Sequence, residues 1–221
     1  MKRILLLVVF VVASSSVGWA GACGSASLAV YDTAGFTCSI GPLLFSDFSY
    51  STSSDGGASP PSAAGVTVTP AAFGSELGLQ FEGSFAASTQ PGPVTQTADG
   101  FITYTVACQG CNLTDWLLQM VGGAFGTGTA SVAETNSASG QSLFVFASGT
   151  NTLLMQSSTL SGVFSATVAM KDIGASSGLN GSASVSSVWN YWSYNNAPEP
   201  ASVALLGSAL LGAGFLLRRF N

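Results

Sequence analysis

Through the middle of this chain apolar residues recur at every second position, and that period restricts its fold more than any other feature. In residues 75–85, Leu77, Leu79, Phe81 and Phe85 share one side, while Glu76, Gln80 and Glu82 share the other. Such a period belongs to half-buried strands, whose successive side chains point to opposite faces. In residues 101–106, Ile102, Tyr104 and Val106 alternate with Phe101, Thr103 and Thr105. Residues 142–147, 162–171 and 182–194 repeat the habit, and in the second of these Phe164, Ala166, Val168 and Met170 are expected on one face. Shorter strand candidates lie at 27–31, 44–50, 66–69, 130–134 and 153–157. Turn chemistry separates them: Asp55-Gly56-Gly57, Pro60-Pro61, Pro91-Gly92-Pro93, Asp99-Gly100, Ser148-Gly149 and Asn180-Gly181. Only residues 113–121 read as a possible helical turn. About ten short strands joined by turns predict an all-β, antiparallel β-sandwich of jelly-roll-like form.

The two ends read differently. Met1-Lys2-Arg3 precedes the apolar run 4–13 and the small, polar stretch 14–20, the layout of a secretory signal peptide. Cleavage by signal peptidase fits after Ala20 or after Ala22, and the second is preferred, giving a signal at residues 1–22. The Cys23 then exposed invites a lipoprotein reading, against which Ala20 stands where a branched aliphatic residue is favoured. At the other end Pro198-Glu199-Pro200 precedes an uncharged run, residues 201–217, and then Arg218-Arg219-Phe220-Asn221. Those 17 residues would cover ~25 Å as a helix, against a hydrocarbon core of ~30 Å. Arg218 and Arg219 can snorkel outward and act as a membrane stop. Arginines after the run, with none just before it, predict a cytoplasmic C-terminus.

Pro-Glu-Pro followed by a small-residue-rich helix and a short Arg-rich end resembles the PEP-CTERM sorting signal, over residues 197–220. The resemblance implies that Pro198, Glu199 and Pro200 are a recognition motif for an exosortase-type processing protease. It implies also that the helix and arginines hold the protein in the inner membrane until the tail is read. Proteins with this tail are associated with exopolysaccharide and biofilm. The expected domains are therefore a signal peptide (1–22), a secreted β-sandwich (23–197) and a sorting tail (198–221). Export leads to the cell surface or the extracellular matrix.

Charge narrows the partners. Of the five basic residues, Lys2, Arg3, Arg218 and Arg219 sit at the ends, and only Lys171 lies in the body. The body's nine acids, against that one cation, leave no phosphate-neutralising patch, and nucleic acid is excluded as a partner.

Four cysteines in an exported protein read as two disulfides, Cys23–Cys38 and Cys108–Cys111 being the preferred pairing of three connectivities. Cys108-Gln109-Gly110-Cys111 also has the spacing of a thiol oxidoreductase motif, but no α/β context accompanies it. The chain has no histidine, which removes Ser-His-Asp and Cys-His nucleophiles and histidine-held metals. No metal, cofactor or catalytic residue is expected. Among carboxylate pairs, Glu76 and Glu82 lie too far apart along one strand for a glycosidase, while Asp47 with Glu134 stays open.

The binding candidates are Trp189, Tyr191, Trp192 and Tyr194. On a strand Trp189 and Tyr191 share one face and Trp192 and Tyr194 the other, so one pair can be core while the other stacks on sugar rings. Alternatively both pairs are packing, or the outer pair rests at a membrane interface, which Trp and Tyr favour. The expectation is a non-enzymatic structural or adhesive protein of an exopolysaccharide matrix. The alternatives are a carbohydrate-binding module using these aromatics and, after it, a glycan-active hydrolase.

Overall fold

The computed structural model describes residues 20–89 and 94–196. The expected export segment, apart from its last residues, and the sorting tail with Pro198, Glu199, Pro200, Arg218 and Arg219 lie outside the described residues. Among the described residues no helix is long and apolar enough to cross a membrane.

Two sheets form the body. The eight-stranded sheet takes the order β1 (Gly21–Ala22), β3 (Thr37–Ile40), β4 (Leu43–Asp55), β7 (Thr97–Cys108), β13 (Ala166–Ser176), β9 (Thr129–Asn136), β10 (Ser142–Ser148), β11 (Asn151–Leu153). The six-stranded sheet takes the order β12 (Met155–Phe164), β8 (Cys111–Gly126), β14 (Gly181–Asn196), β6 (Glu76–Ser88), β5 (Thr67–Phe73), β2 (Ala26–Ser27). All pairs are antiparallel except β1 with β3, where Gly21 and Ala22 lie opposite Cys38 and Ser39. From β6 onward the chain repeatedly crosses from one sheet to the other, so most sequence neighbours face each other across the core rather than pairing.

The inward faces carry the apolar halves of the alternating runs. Leu79, Phe81 and Phe85 of β6 meet Ile102, Tyr104 and Val106 of β7. Phe48 stacks on Tyr104 at 5.4 Å between ring centres, and Trp116 stacks on Trp192 at 5.7 Å. Gly100 is required beneath Phe85, because a Cβ there would lie 2.3 Å from the ring.

Three sequence expectations are corrected. Residues 113–121 are strand, within β8, and make no helical turn. The apolar run Trp116-Leu117-Leu118 loses its alternation because Leu117 is buried on the outer face as well. Residues 28–31 form a single helical turn, α1 (Leu28–Tyr31), rather than a strand, with Leu28 and Tyr31 turned into the core. On β13 the buried face is Thr167, Ala169, Lys171, Ile173 and Ala175, while Val168 and Met170 lie half-buried on the other. The chain's one body cation is thus inside the sandwich.

The disulfides join the expected pairs, Cys23–Cys38 and Cys108–Cys111, with Cα atoms 4.7 and 5.2 Å apart. Cys108 ends β7 in one sheet and Cys111 opens β8 in the other, so this bond closes the corner between the sheets. Gly110 supplies the positive φ of 71° that the two-residue turn needs. The corner opens no helix, and the arrangement is that of a structural crosslink.

Candidate functional site

A bulge in β14 decides which aromatics face outward. Val185 and Val188 are both buried although three positions apart, with a register shift between Val185 and Ser187. Ser186 is the inserted residue, and its Oγ donates to the Val121 carbonyl at 3.1 Å. One inserted residue reverses the parity of all that follows. Beyond it Val188, Asn190 and Trp192 point inward, and Ser187, Trp189, Tyr191 and Ser193 point outward.

Of the four aromatic candidates, Trp192 is fully buried on Trp116 and offers no face to a ligand. Tyr194 is half-buried and packs against the same core. Trp189 is partly exposed on the outer face of the six-stranded sheet, between Gln80 of β6 and Gln119 of β8. Tyr191, on that face too, is only 5% exposed, and its ring meets Phe73 of β5 at 5.7 Å. Phe73 is 48% exposed. The exposed aromatic surface here therefore belongs to Trp189 and Phe73, with Tyr191 as the floor between.

Beside this floor stand two acids. Ser193 lies opposite Asp115, and its Oγ donates to Glu76 Oε1 at 3.1 Å. Glu76 Oε2 is buried without a partner. Burial raises the Glu76 carboxyl above its ordinary range; the Ser193 hydrogen bond opposes this, and the charge and contact of Asp115 add to it. Tyr191 is raised as well, by burial first and then by the charge of Glu76. Further along, Gln80 donates to Glu82 at 2.7 Å. The same outer face continues past the bulge into a shallow trough of about 440 Å³, floored by Ala86, Ser88, Gly123, Ser182 and Ser184 and walled by Phe125.

Asp47 and Glu134 do not come together. Asp47 is exposed at a bulge of β4 with a φ of 54°, whereas Glu134 is fully buried on β9, three strands away. Phe73, Glu76 and Asp115 escaped the sequence reading as a group, because only the pairing of β5, β6, β14 and β8 brings them onto one face. Among the described residues no cluster of three or more histidines, cysteines or carboxylates has metal-holding geometry.

No family model matches the chain, and no curated protein matches it. Among solved structures it is similar to the carbohydrate-binding module TmCBM61 in complex with beta-1,4-galactotriose, at 12% identity and a TM-score of 0.28. That match covers 64% of this chain and 86% of the module. It is similar also to Trichoderma harzianum endoglucanase 3 from family GH12, at 10% identity and a TM-score of 0.25, covering 66% of this chain and 98% of the enzyme. Likeness at that level leaves any functional reading to the chain's own residues.

Proposed function

We propose that this is an exported, non-enzymatic protein of the cell surface or extracellular matrix, whose β-sandwich adheres to polysaccharide through the outer face of its six-stranded sheet. The observation that carries the reading is the partly exposed pair Trp189 and Phe73, flanking Tyr191, within a border of hydrogen-bonding groups from Gln80, Gln119, Glu76 and Asp115. Flat aromatic area bordered by amides and carboxylates suits the apolar faces and hydroxyl rims of sugars. The crossing of the chain between sheets supports a jelly-roll-like form for the body.

The ends supply the address. An N-terminal signal delivers the body across the membrane, and the PEP-CTERM-like tail, with Pro198-Glu199-Pro200 before its apolar run and Arg218-Arg219 after it, presents the protein to an exosortase-type protease. Both disulfides accord with an oxidising destination. Cleavage by signal peptidase after Ala20, the other of the two candidate sites, keeps Gly21 and Ala22 paired with β3. A glycan-active hydrolase is disfavoured. Glu76 and Asp115 stand on the same sheet face on either side of Ser193, whereas the carboxyl pair of a glycosidase flanks the scissile bond across a cleft.

Binding to an array of envelope polysaccharides, followed by tryptophan-fluorescence titration, tests the reading. The wild-type protein is expected to bind, Trp189→Ala to lose binding, and Phe101→Ala, on the outer face of the opposite sheet, to keep it. Absence of wild-type binding to every polysaccharide, or unchanged binding by Trp189→Ala, would overturn it.

A further inference from the structure

The interior of the eight-stranded sheet holds a group of side chains that the outer face does not use. Lys171, Glu134 and Asn136 are each fully buried. Lys171 lies directly opposite Glu134 and Ala169 opposite Asn136, so Asn136 is the diagonal neighbour of Lys171 on the same inward face. Diagonal cross-strand neighbours sit about 7–8 Å apart, within reach of a long side chain. Lys171 Nζ contacts Glu134 Oε2 and lies 5.8 Å from the centre of the Phe81 ring. Glu134 Oε1 has no partner.

Asn136 is held in a lopsided way. Its Oδ1 accepts three hydrogen bonds, from Thr167 Oγ1 at 2.6 Å, Ala138 N–H at 3.0 Å and Ser139 N–H at 3.2 Å. Its Nδ2 is buried with no partner at all. Donors gathered on the carbonyl oxygen stabilise the negative charge that forms there when the carbon is attacked. The amide nitrogen is left unheld, as a leaving group should be.

We propose that Lys171 and Asn136 join in an intramolecular isopeptide bond in the folded protein, with Glu134 shuttling the proton. Lys171 enters as the free amine and Glu134 as the carboxylic acid. The Nζ lone pair bonds to Asn136 Cγ, and charge moves onto Oδ1, where the Thr167 hydroxyl and the two backbone N–H groups receive it. A proton from Nζ passes through the Glu134 carboxyl to Nδ2. The Cγ–Nδ2 bond then breaks, its electron pair leaving as ammonia, and the carbonyl re-forms. One C–N bond is made and one is broken, Glu134 ends as it began, and neither oxidant nor cofactor is consumed. Burial holds the Lys171 amine well below the usual lysine range, which favours the nucleophilic form. A bond that makes itself without ATP suits a protein working outside the cell.

The test is peptide mapping by mass spectrometry on the folded, full-length protein after reduction of its disulfides. The expected result is a joined fragment pair carrying Asn136 and Lys171, lighter by one ammonia than its parts. Lys171→Met and Glu134→Gln are expected to restore the unlinked masses, with near-ultraviolet circular dichroism confirming that each is folded. Unlinked fragments of full mass from folded wild-type protein would overturn the bond. A pair joined through Glu134 with loss of water would overturn Asn136 as the acceptor. A folded Glu134→Gln protein that still links would overturn the shuttle. Should either variant fail to fold, the wild-type map alone decides whether the bond exists.

Discussion

Glu76 and Glu134 are the same residue type in opposite circumstances. Glu76, on the outer face of the six-stranded sheet, stands beside another acid, Asp115, with Ser193 donating to it. Glu134, inside the sandwich, stands beside the body's one lysine, Lys171, with the Phe81 ring close to its Nζ. The difference shows what water tolerates. At the surface two like charges coexist, because solvent screens them and one can take up a proton. In the interior an unpaired charge costs several kcal/mol, about the whole margin of a domain's stability, so an acid there must have a partner. The surface pair is thus free to meet a ligand, whereas the interior pair is committed to its neighbours.

The aromatics repeat the contrast and give the largest expected effect. Trp192→Ala removes one half of the buried Trp116 stack, and urea unfolding is expected to show a loss of about 3–5 kcal/mol. Trp189→Ala, on the outer face of the same strand, is expected to cost less than about 1 kcal/mol while abolishing polysaccharide binding. Equal losses in the two variants would break the distinction between the faces that the Ser186 bulge creates.

The acids come next. Glu134→Ala removes the hydrogen-bond partner of the buried Lys171 and with it the proton shuttle, and a loss of about 1–3 kcal/mol is expected in the same assay. Glu76→Gln, which removes one member of a like-charged pair, is expected to change stability by less than about 0.5 kcal/mol at neutral pH. A large loss from Glu76→Gln would mean that the outer pair is a structural element after all.

Much of this arrangement was legible in the sequence. The period-two runs marked β6, β7 and β10, and counting cysteines on the expectation of export pointed to both disulfides. The sidedness of β13 was not legible, because Val168 and Met170 are the more apolar set and drew the pattern outward. Lys171 is buried opposite Glu134, and a cross-strand register leaves no trace in either strand alone. The outer site was half legible. Splitting the four C-terminal aromatics between two faces follows from strand geometry, but choosing the outward pair requires knowing where Ser186 is inserted. Phe73, Glu76 and Asp115 come from strands distant in sequence, and only the sheet order sets them beside Trp189 and Tyr191.

The smallest expected effect concerns pH, and it isolates the outer acid. The folded-state pKa of Glu76 is raised, chiefly by burial and further by Asp115. A raised acid favours the native state while protonated, so its contribution is complete below the unfolded value of about 4.3 and is lost as pH rises through the folded value. Asp99 is raised as well, by burial and then by the charge of Asp172, and it acts with the same sign. Each therefore adds a small gain in stability on acidification from neutral towards the ordinary carboxylate range. Glu76→Gln removes its share and Asp99→Asn the other, so the double variant is expected to show a flatter profile of unfolding midpoint against pH. An unchanged profile in the double variant would place the titrating group elsewhere and would leave Glu76 an ordinary surface acid.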